Sequence, residues 1–466
     1  MVSSPGEVVI LGEEQKNSSG YEQLPPREPK LWDTLAYIAD PDSFCLENAR
    51  RYGPIFRTSV FGANTVFMGS RDGVRMALSG DNKYTEIALP QTTMDSFGEY
   101  SLFQRPDLHR VRKEAIQRGL TGSLLTTYLP RIDRVIQSHL AGWSGQKRIP
   151  LLEKVEALCF DVLAPLLLGV DMDGEPLDSQ PLSISGKEEL KRLYQYFYDG
   201  FFGLIHWDSP LTAFGRGMAA RRKLLRFMEE VMKTRRRQEN SGPPTDFLGM
   251  MLHDQRTNPD SIFDDALIAN QCLLQLWGAH YEVTGLLSSW MVQLAAHPSV
   301  IGPLRAELRN RFEISPPHAL QMDDLGGLPY LDATINETLR TLPPTSSATR
   351  RLTKTVVLNG ITYRKGWGLM AEPRLSHRLE ENYNQPDRFD PNRFLHADPS
   401  TLRFRFFPFG GGAHACPGAQ LSFTIARLFA IRVLPRYGWT NIGTPRFSTF
   451  PLRKVKANHK LELSKR

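Results

Sequence analysis

The residues with the clearest chemical signature lie near the C-terminus, in Phe406–Gly418, which reads FFPFGGGAHACPG and runs into an amphipathic helix. Gly410 to Gly412 permit tight turns and close backbone approach, and Pro417 and Gly418 set Cys416 just ahead of a helix N-terminus. The positive end of a helix favours the thiolate, which makes Cys416 suited to be a metal ligand. Against this stands the commoner fate of a lone cysteine, a buried and inert thiol. Cys45, Cys159 and Cys272 are scattered with no CxxC spacing, so neither a disulfide framework nor a structural zinc site is expected.

A second constellation is Glu337-Thr-Leu-Arg340, whose i, i+3 spacing places the two charges on one helix face. Taken alone, such a pair is usually solvated. The pattern Phe409-x-x-Gly412-x-x-x-Cys416-x-Gly418, however, resembles the cysteine-ligand loop of the cytochrome P-450 superfamily of haem-thiolate enzymes. Glu337 to Arg340 matches that family's ExxR motif, and Pro391-Asn-Arg393-Phe394 matches its PxRF segment. The resemblance continues through Leu342-Pro-Pro344 followed by Arg350, Lys365-Gly-Trp367 and His297-Pro298. Within the family, Asn359 to Trp367 looks most like the branch containing sterol, retinoid and terpenoid oxidases.

The resemblance implies haem b (iron protoporphyrin IX), with Cys416 as the iron ligand and a Glu337/Arg340/Arg393 triad supporting the haem loop. Phe409, Gly412 and Gly418 would shape that loop as cofactor-binding residues. The positions matching the family's propionate partners are His109, Lys113, Arg350 and His414; three of the four differ from the commonest residue, yet each keeps a donor or a cation. A thiolate ligand pushes electron density onto haem iron and favours O–O cleavage. The implied reaction is dioxygen-dependent monooxygenation of a lipophilic small molecule, such as a terpenoid or steroid-like metabolite. Its electrons would come from a separate reductase or ferredoxin.

Most of the family delivers protons from an acid–threonine pair within AGx(D/E)T on a long central helix. Here that helix reads Leu276-Trp-Gly-Ala-His-Tyr-Glu-Val-Thr284. Counting back from His297-Pro298 without gaps sets Gly278-Ala279 over the AG pair, Tyr281 over the acid and Glu282 over the threonine. A shifted register keeps Glu282 as the acid with Thr284 two residues on, but each helical step turns about 100°, so those side chains point to different faces. Ala279, Glu282 and Thr284 are therefore the catalytic candidates. Glu282 is either a solvated helix glutamate or a distal carboxylate that moves protons or meets a polar substrate group. Because the pair is unmatched, a redox-neutral isomerase, dehydratase or cyclase, or a peroxide-using enzyme, stands as the alternative. A haem carrier or sensor without turnover is a third reading.

These residues need a scaffold. The apolar pattern Asp264 to His297 has no internal proline and predicts a helix about 50 Å long. Helical spacing also fills Leu31–Tyr52 with a break at Pro41, most of Leu108–Asp265, Ser299–Phe312, Tyr330–Leu342 and Ser422–Tyr437. Breaks are expected at Asp171–Pro176 and Ser241–Pro244. Short strands are expected at Ile55–Met68, split at Gly62, and at Val356–Leu369 around Asn359-Gly360. The fold class is mainly α with a smaller β portion. The resemblance adds a cytochrome P-450 fold with haem between the long central helix and the cysteine-ligand loop, residues 31–466 forming one haem domain behind an irregular 1–30 segment.

Composition sets the outer limits. At 466 residues, 41% hydrophobic and 23% charged, the chain can bury a large core, though its length alone would predict several domains. Its net charge of +7 is too small to mark a nucleic-acid binder. The start carries only a short apolar run, Val8 to Leu11, so no signal peptide or transmembrane anchor is expected in this chain. The expected state is a monomer, cytoplasmic, or peripheral to a membrane if the N-terminus was trimmed. Leu193 to Trp207 carries seven aromatic residues where the family's pocket-roof helix falls, which points to a lipophilic substrate. The cations from Arg221 to Arg237 read as a solvated helix face or an electrostatic membrane contact.

Overall fold

The computed structural model describes residues 6–11, 23–62, 64–103, 107–170, 183–184, 186–238, 242–312, 316, 319–345 and 347–466. The expected break at Asp171–Pro176 lies outside them, as does Ser241. By its internal contacts the chain divides into two compact units, one of them Met1–Leu89, Asp332–Cys416 and Arg446–Val455, the other Pro90–Leu331, Pro417–Pro445 and Lys456–Arg466.

The first unit is built on a five-stranded sheet. Its order is Ile55–Thr58, Thr65–Met68, Gly368–Ala371, Ala348–Leu352 and Thr85–Ile87. Only the Thr65–Met68 and Gly368–Ala371 pair is parallel, which brings together strands some three hundred residues apart in sequence. The 1–30 segment is not wholly irregular. Its β-branched run Val8–Ile10 pairs antiparallel with Val356–Leu358, which in turn pairs with Ile361–Tyr363 across the Asn359-Gly360 turn. Asn359 and Gly360 both have positive φ, 50° and 78°, as a two-residue hairpin turn demands. Val66, Met68, Val74, Leu78, Val356 and Leu369 fill the core beneath these sheets.

In the same unit Glu372 is fully buried and accepts a 2.8 Å hydrogen bond from the Tyr37 hydroxyl. Burial pushes its carboxyl up from 4.5 to about 7, against the pull of Arg374. The folded chain therefore holds this proton at pH values where the unfolded chain has released it. The stabilisation is complete below the unfolded value and is lost as pH rises through about 7. The melting temperature of the wild type, measured relative to Glu372→Gln, is expected to fall between pH 5 and pH 8; a pH-independent difference would refute the assignment.

The second unit is helical. Its axis is the 32-residue helix Asp265–Ala296, N-capped by Asp264, whose carboxylate accepts from the Leu267 N–H at 2.6 Å. This central helix is apolar nearly all round, as a helix packed on several sides must be. Leu151–Leu168 and Ala213–Gln238 pack along it. The last helix, Ala419–Val433, begins earlier and stops sooner than the sequence pattern predicted. Pro435 cannot continue a helix, and from Tyr437 the chain turns to a strand. Tyr437–Ile442, Lys460–Lys465 and Arg148–Pro150 form an antiparallel sheet tied to the central helix by Trp439 Nε1, which donates to Met291 O at 2.9 Å.

Several cations of the basic helix form ion pairs. Arg222 meets Asp208 at 2.9 Å, Lys223 meets Glu189 at 2.5 Å and Arg235 meets Asp246 at 2.8 Å. Between Lys187–Phe201 and Ala213–Gln238, Leu204, Ile205, Trp207 and Leu211 stand exposed. Among the described residues no helix is long and apolar enough to cross a membrane.

Candidate active site

Cys416 ends the ligand loop in the first unit. It is the exposed cysteine of the four; Cys45, Cys159 and Cys272 are buried, and burial pushes each of those thiols up. The loop is closed by backbone bonds, Gly410 N–H to Phe407 O at 2.9 Å, Ala415 N–H to Gly412 O at 3.2 Å and Cys416 N–H to Phe409 O at 2.9 Å. Gly412 is obligatory on two counts. Its φ is +66°, and a Cβ there would lie 1.8 Å from the Leu78 carbonyl oxygen. Phe409 and His414 are half-buried in the loop, and Gly418 is the N-cap of Ala419–Val433.

The structure brings Glu337, Arg340 and Arg393 together. Glu337 and Arg340 are fully buried and share a bidentate bridge, with both nitrogen–oxygen distances 2.7 Å. Arg340 also donates to the carbonyls of His377, Pro386 and Arg388 at 2.8, 2.7 and 3.0 Å. Glu337 accepts from the Asp390 N–H at 2.8 Å and lies 3.5 Å from Arg393 Nε. Arg393 Nη2 in turn holds Gln385 O at 2.9 Å. The triad thus clamps the irregular 377–393 stretch.

His377, which the sequence did not single out, couples that clamp to the ligand loop. Its Nε2 accepts from the Phe407 N–H at 3.2 Å. Burial, reinforced by the Arg340 charge, lowers its pKa to about 3, so the ring stays neutral and keeps that acceptor.

On the central helix, in the second unit, Gly278 is exposed, Ala279 and Glu282 are half-buried, and a Cβ on Gly278 would meet nothing within 4 Å. Positions 278, 279 and 282 share one side of the helix, so this face is open where the rest is packed. Tyr281, over the family's acid position, is buried and donates its hydroxyl to Gln195 Oε1. Its ring lies 4.1 Å from that of Tyr198, and Trp277 stacks on Phe201 at 4.2 Å. Desolvation raises the pKa of both Tyr198 and Tyr281, with the charge of Glu282 adding to it at Tyr198 and that of Glu156 at Tyr281, so these phenols remain protonated.

Thr284 does not belong to this face. It is fully buried, its hydroxyl donates to His280 O at 2.7 Å, and it lies in hydrogen-bond contact with the Cys159 thiol. Two helical steps turn it roughly 200° from Glu282. The seven aromatics of 193–207 also divide. Tyr194, Phe197, Tyr198 and Phe201 are buried, whereas Tyr196 and Trp207 are exposed.

Of the propionate candidates, His109 is buried and Lys113 half-buried, one turn apart on His109–Arg118. Arg350 is engaged by a carboxylate that the sequence did not single out. Asp81 takes Arg350 Nε at 2.6 Å and Nη2 at 3.2 Å, with both side chains nearly buried. A Cβ on Gly412 would come within 3.6 Å of Asp81 Oδ2, so the pair borders the ligand loop.

Among the described residues no three His, Cys, Asp or Glu side chains converge to hold a metal ion. One accessible thiol in a glycine cradle therefore suits a metal that brings its remaining ligands with it in a macrocycle, which is what haem does.

The fold and this single-thiolate site define a haem-thiolate protein. The cytochrome P450 family matches residues 23–459, and the chain belongs to that family, with its haem b cofactor and monooxygenase activity. It is 29% identical over 429 residues to a putative cytochrome P450 120 of Synechocystis, covering 90% of this chain and 91% of that protein. It is 27% identical over 435 residues to cytochrome P450 26B1 of Danio rerio, covering 91% and 83%. The solved structure of a retinoic acid bound cyanobacterial CYP120A1 superposes with a TM-score of 0.82 at 27% identity, covering 95% of this chain and all of that one.

Proposed function

We propose that this cytochrome P450 oxidises a terpenoid or steroid-like molecule, taking electrons from a separate reductase or ferredoxin and acting as a monomer. The observation that carries the reading is the open Gly278/Ala279/Glu282 face, which follows Trp277, whose ring packs on those of Phe97 and Phe201. The retinoic acid in the solved relative, an isoprenoid, supports the substrate class. Cysteines that form no disulfide among the described residues support a reducing, cytoplasmic location, and the exposed Leu204–Leu211 segment supports peripheral contact with a membrane. Fractionation of expressing cells separates the two.

When bound, thiolate-ligated haem supplies dioxygen activation. The chain's own part is to exclude water, orient an apolar substrate and relay protons through the Glu282 carboxylate, with the protonated phenols of Tyr198 and Tyr281 close behind. Glu282→Gln is expected to lower coupled turnover by ~10²-fold or more and to flatten its pH profile. An unchanged rate and profile would remove Glu282 from the mechanism.

Tyr281 and Glu282 in place of the acid and alcohol favour one second reading, the redox-neutral isomerase, dehydratase or cyclase. Turnover that requires NAD(P)H, a redox donor and dioxygen supports the monooxygenase. Product formed anaerobically from a peroxide substrate without reductant supports the other reading and sinks the first.

A further inference from the structure

In the second unit, the Ile301–Phe312 helix sets Arg305 and Arg309 one turn apart on the wall of a cavity of about 240 Å³. Arg466 reaches it from beyond the last strand, and among the described residues Leu308, Pro316, Leu434 and Pro435 form the apolar part of the lining. Arg305 is held in place by two backbone carbonyls, its Nε donating to Leu434 O at 3.1 Å and its Nη2 to Tyr437 O at 2.8 Å. Glu307, the acid between the two helix arginines, is turned away and caps the Tyr330 and Leu331 N–H groups at 2.7 and 2.8 Å. Among the described residues no carboxylate side chain lines the cavity.

Three guanidiniums gathered around one concavity repel one another. Burial lowers the pKa of Arg305, and the charges of Arg466 and Arg309 lower it further. Surface arginines ordinarily relieve such repulsion by swinging into solvent or pairing with carboxylates, as Arg222, Arg235 and Arg236 do on the Ala213–Gln238 helix. Arg305 cannot swing away without releasing two carbonyls. A ligand with several acceptor oxygens and about two negative charges offsets the repulsion and suits the planar guanidinium fork.

We propose that this cavity is a binding site for a phosphate-type anion, either a soluble phosphate compound or the headgroup of an anionic lipid. The test uses the haem-loaded full chain, with pyrophosphate as probe and sodium chloride at matched ionic strength as control. Pyrophosphate is expected to raise the melting temperature where chloride does not. Arg309→Gln and Arg466→Gln are each expected to weaken the half-saturating concentration by about tenfold, one charge-assisted contact apiece. Without the probe, Arg309→Gln is expected to melt at or above the wild type, because a repelling charge has gone.

Retention of the ferrous–CO spectrum shows that the variants are folded, and Arg466→Gln alone suffices if Arg309→Gln does not fold. Phosphatidylcholine vesicles containing phosphatidic acid, compared with phosphatidylcholine alone, separate the sources. Capture by the former assigns a lipid headgroup, and a response confined to pyrophosphate assigns a soluble anion. An equal effect of chloride, or variants that respond as the wild type does, would overturn the proposal.

Discussion

Cys416→Ala is expected to abolish the red-shifted Soret band of the ferrous–CO complex and to take turnover below detection. The band reports thiolate ligation, and no other thiol is equipped to take over. Cys45, Cys159 and Cys272 are buried, and their raised pKa values keep them protonated at physiological pH. The substitution leaves the loop intact, since its closure runs through the main chain, including the Cys416 N–H to Phe409 O bond, and alanine keeps that N–H. The variant should therefore fold and melt close to the wild type while its spectrum changes. A red-shifted CO band that survives in Cys416→Ala would mean that the axial ligand lies elsewhere.

What the sequence made legible was local. A ligand loop with fixed spacing, an ExxR pair one turn apart and a 32-residue apolar helix each announce themselves within a single stretch of chain. The helix limits were read to within a residue because Asp264 is a side-chain N-cap and Pro298 comes just after the last turn. What stayed hidden depends on partners brought together by folding. Asp81 meets Arg350 across 269 positions, and His377 meets Phe407 across 30. Neither pair has a spacing signal.

Thr284 shows the limit of register reasoning. The sequence left two alignments open, and only helix packing decides between them, because the Leu151–Leu168 helix covers the side on which Thr284 lies. The C-terminal strands were missed for a related reason. Tyr437–Ile442 comes after a helix and a short proline-containing turn, and its alternation is too brief to stand out from the helical pattern before it.

Replacement of Arg340 is expected to do the greatest structural damage. Arg340→Leu leaves the Glu337 carboxylate buried without its bidentate partner and strips three backbone carbonyls of their donor. Breaking a buried pair by removing one member costs about 3–5 kcal/mol, a large share of the ~5–15 kcal/mol that stabilises a typical protein. The loss is not confined to stability. The carbonyl of His377 is one of the three released, and the ring of the same residue holds the Phe407 N–H at the start of the ligand loop. Haem retention, measured as Soret absorbance per polypeptide, should therefore fall together with the melting temperature. Arg340→Lys keeps the charge but lacks the planar fork, and it should recover only part of either quantity. In a Glu337→Gln background the further cost of Arg340→Leu should shrink, because no unpaired carboxylate is left behind. Full additivity of the two substitutions, or normal haem content in Arg340→Leu, would show that the bridge does not support the loop.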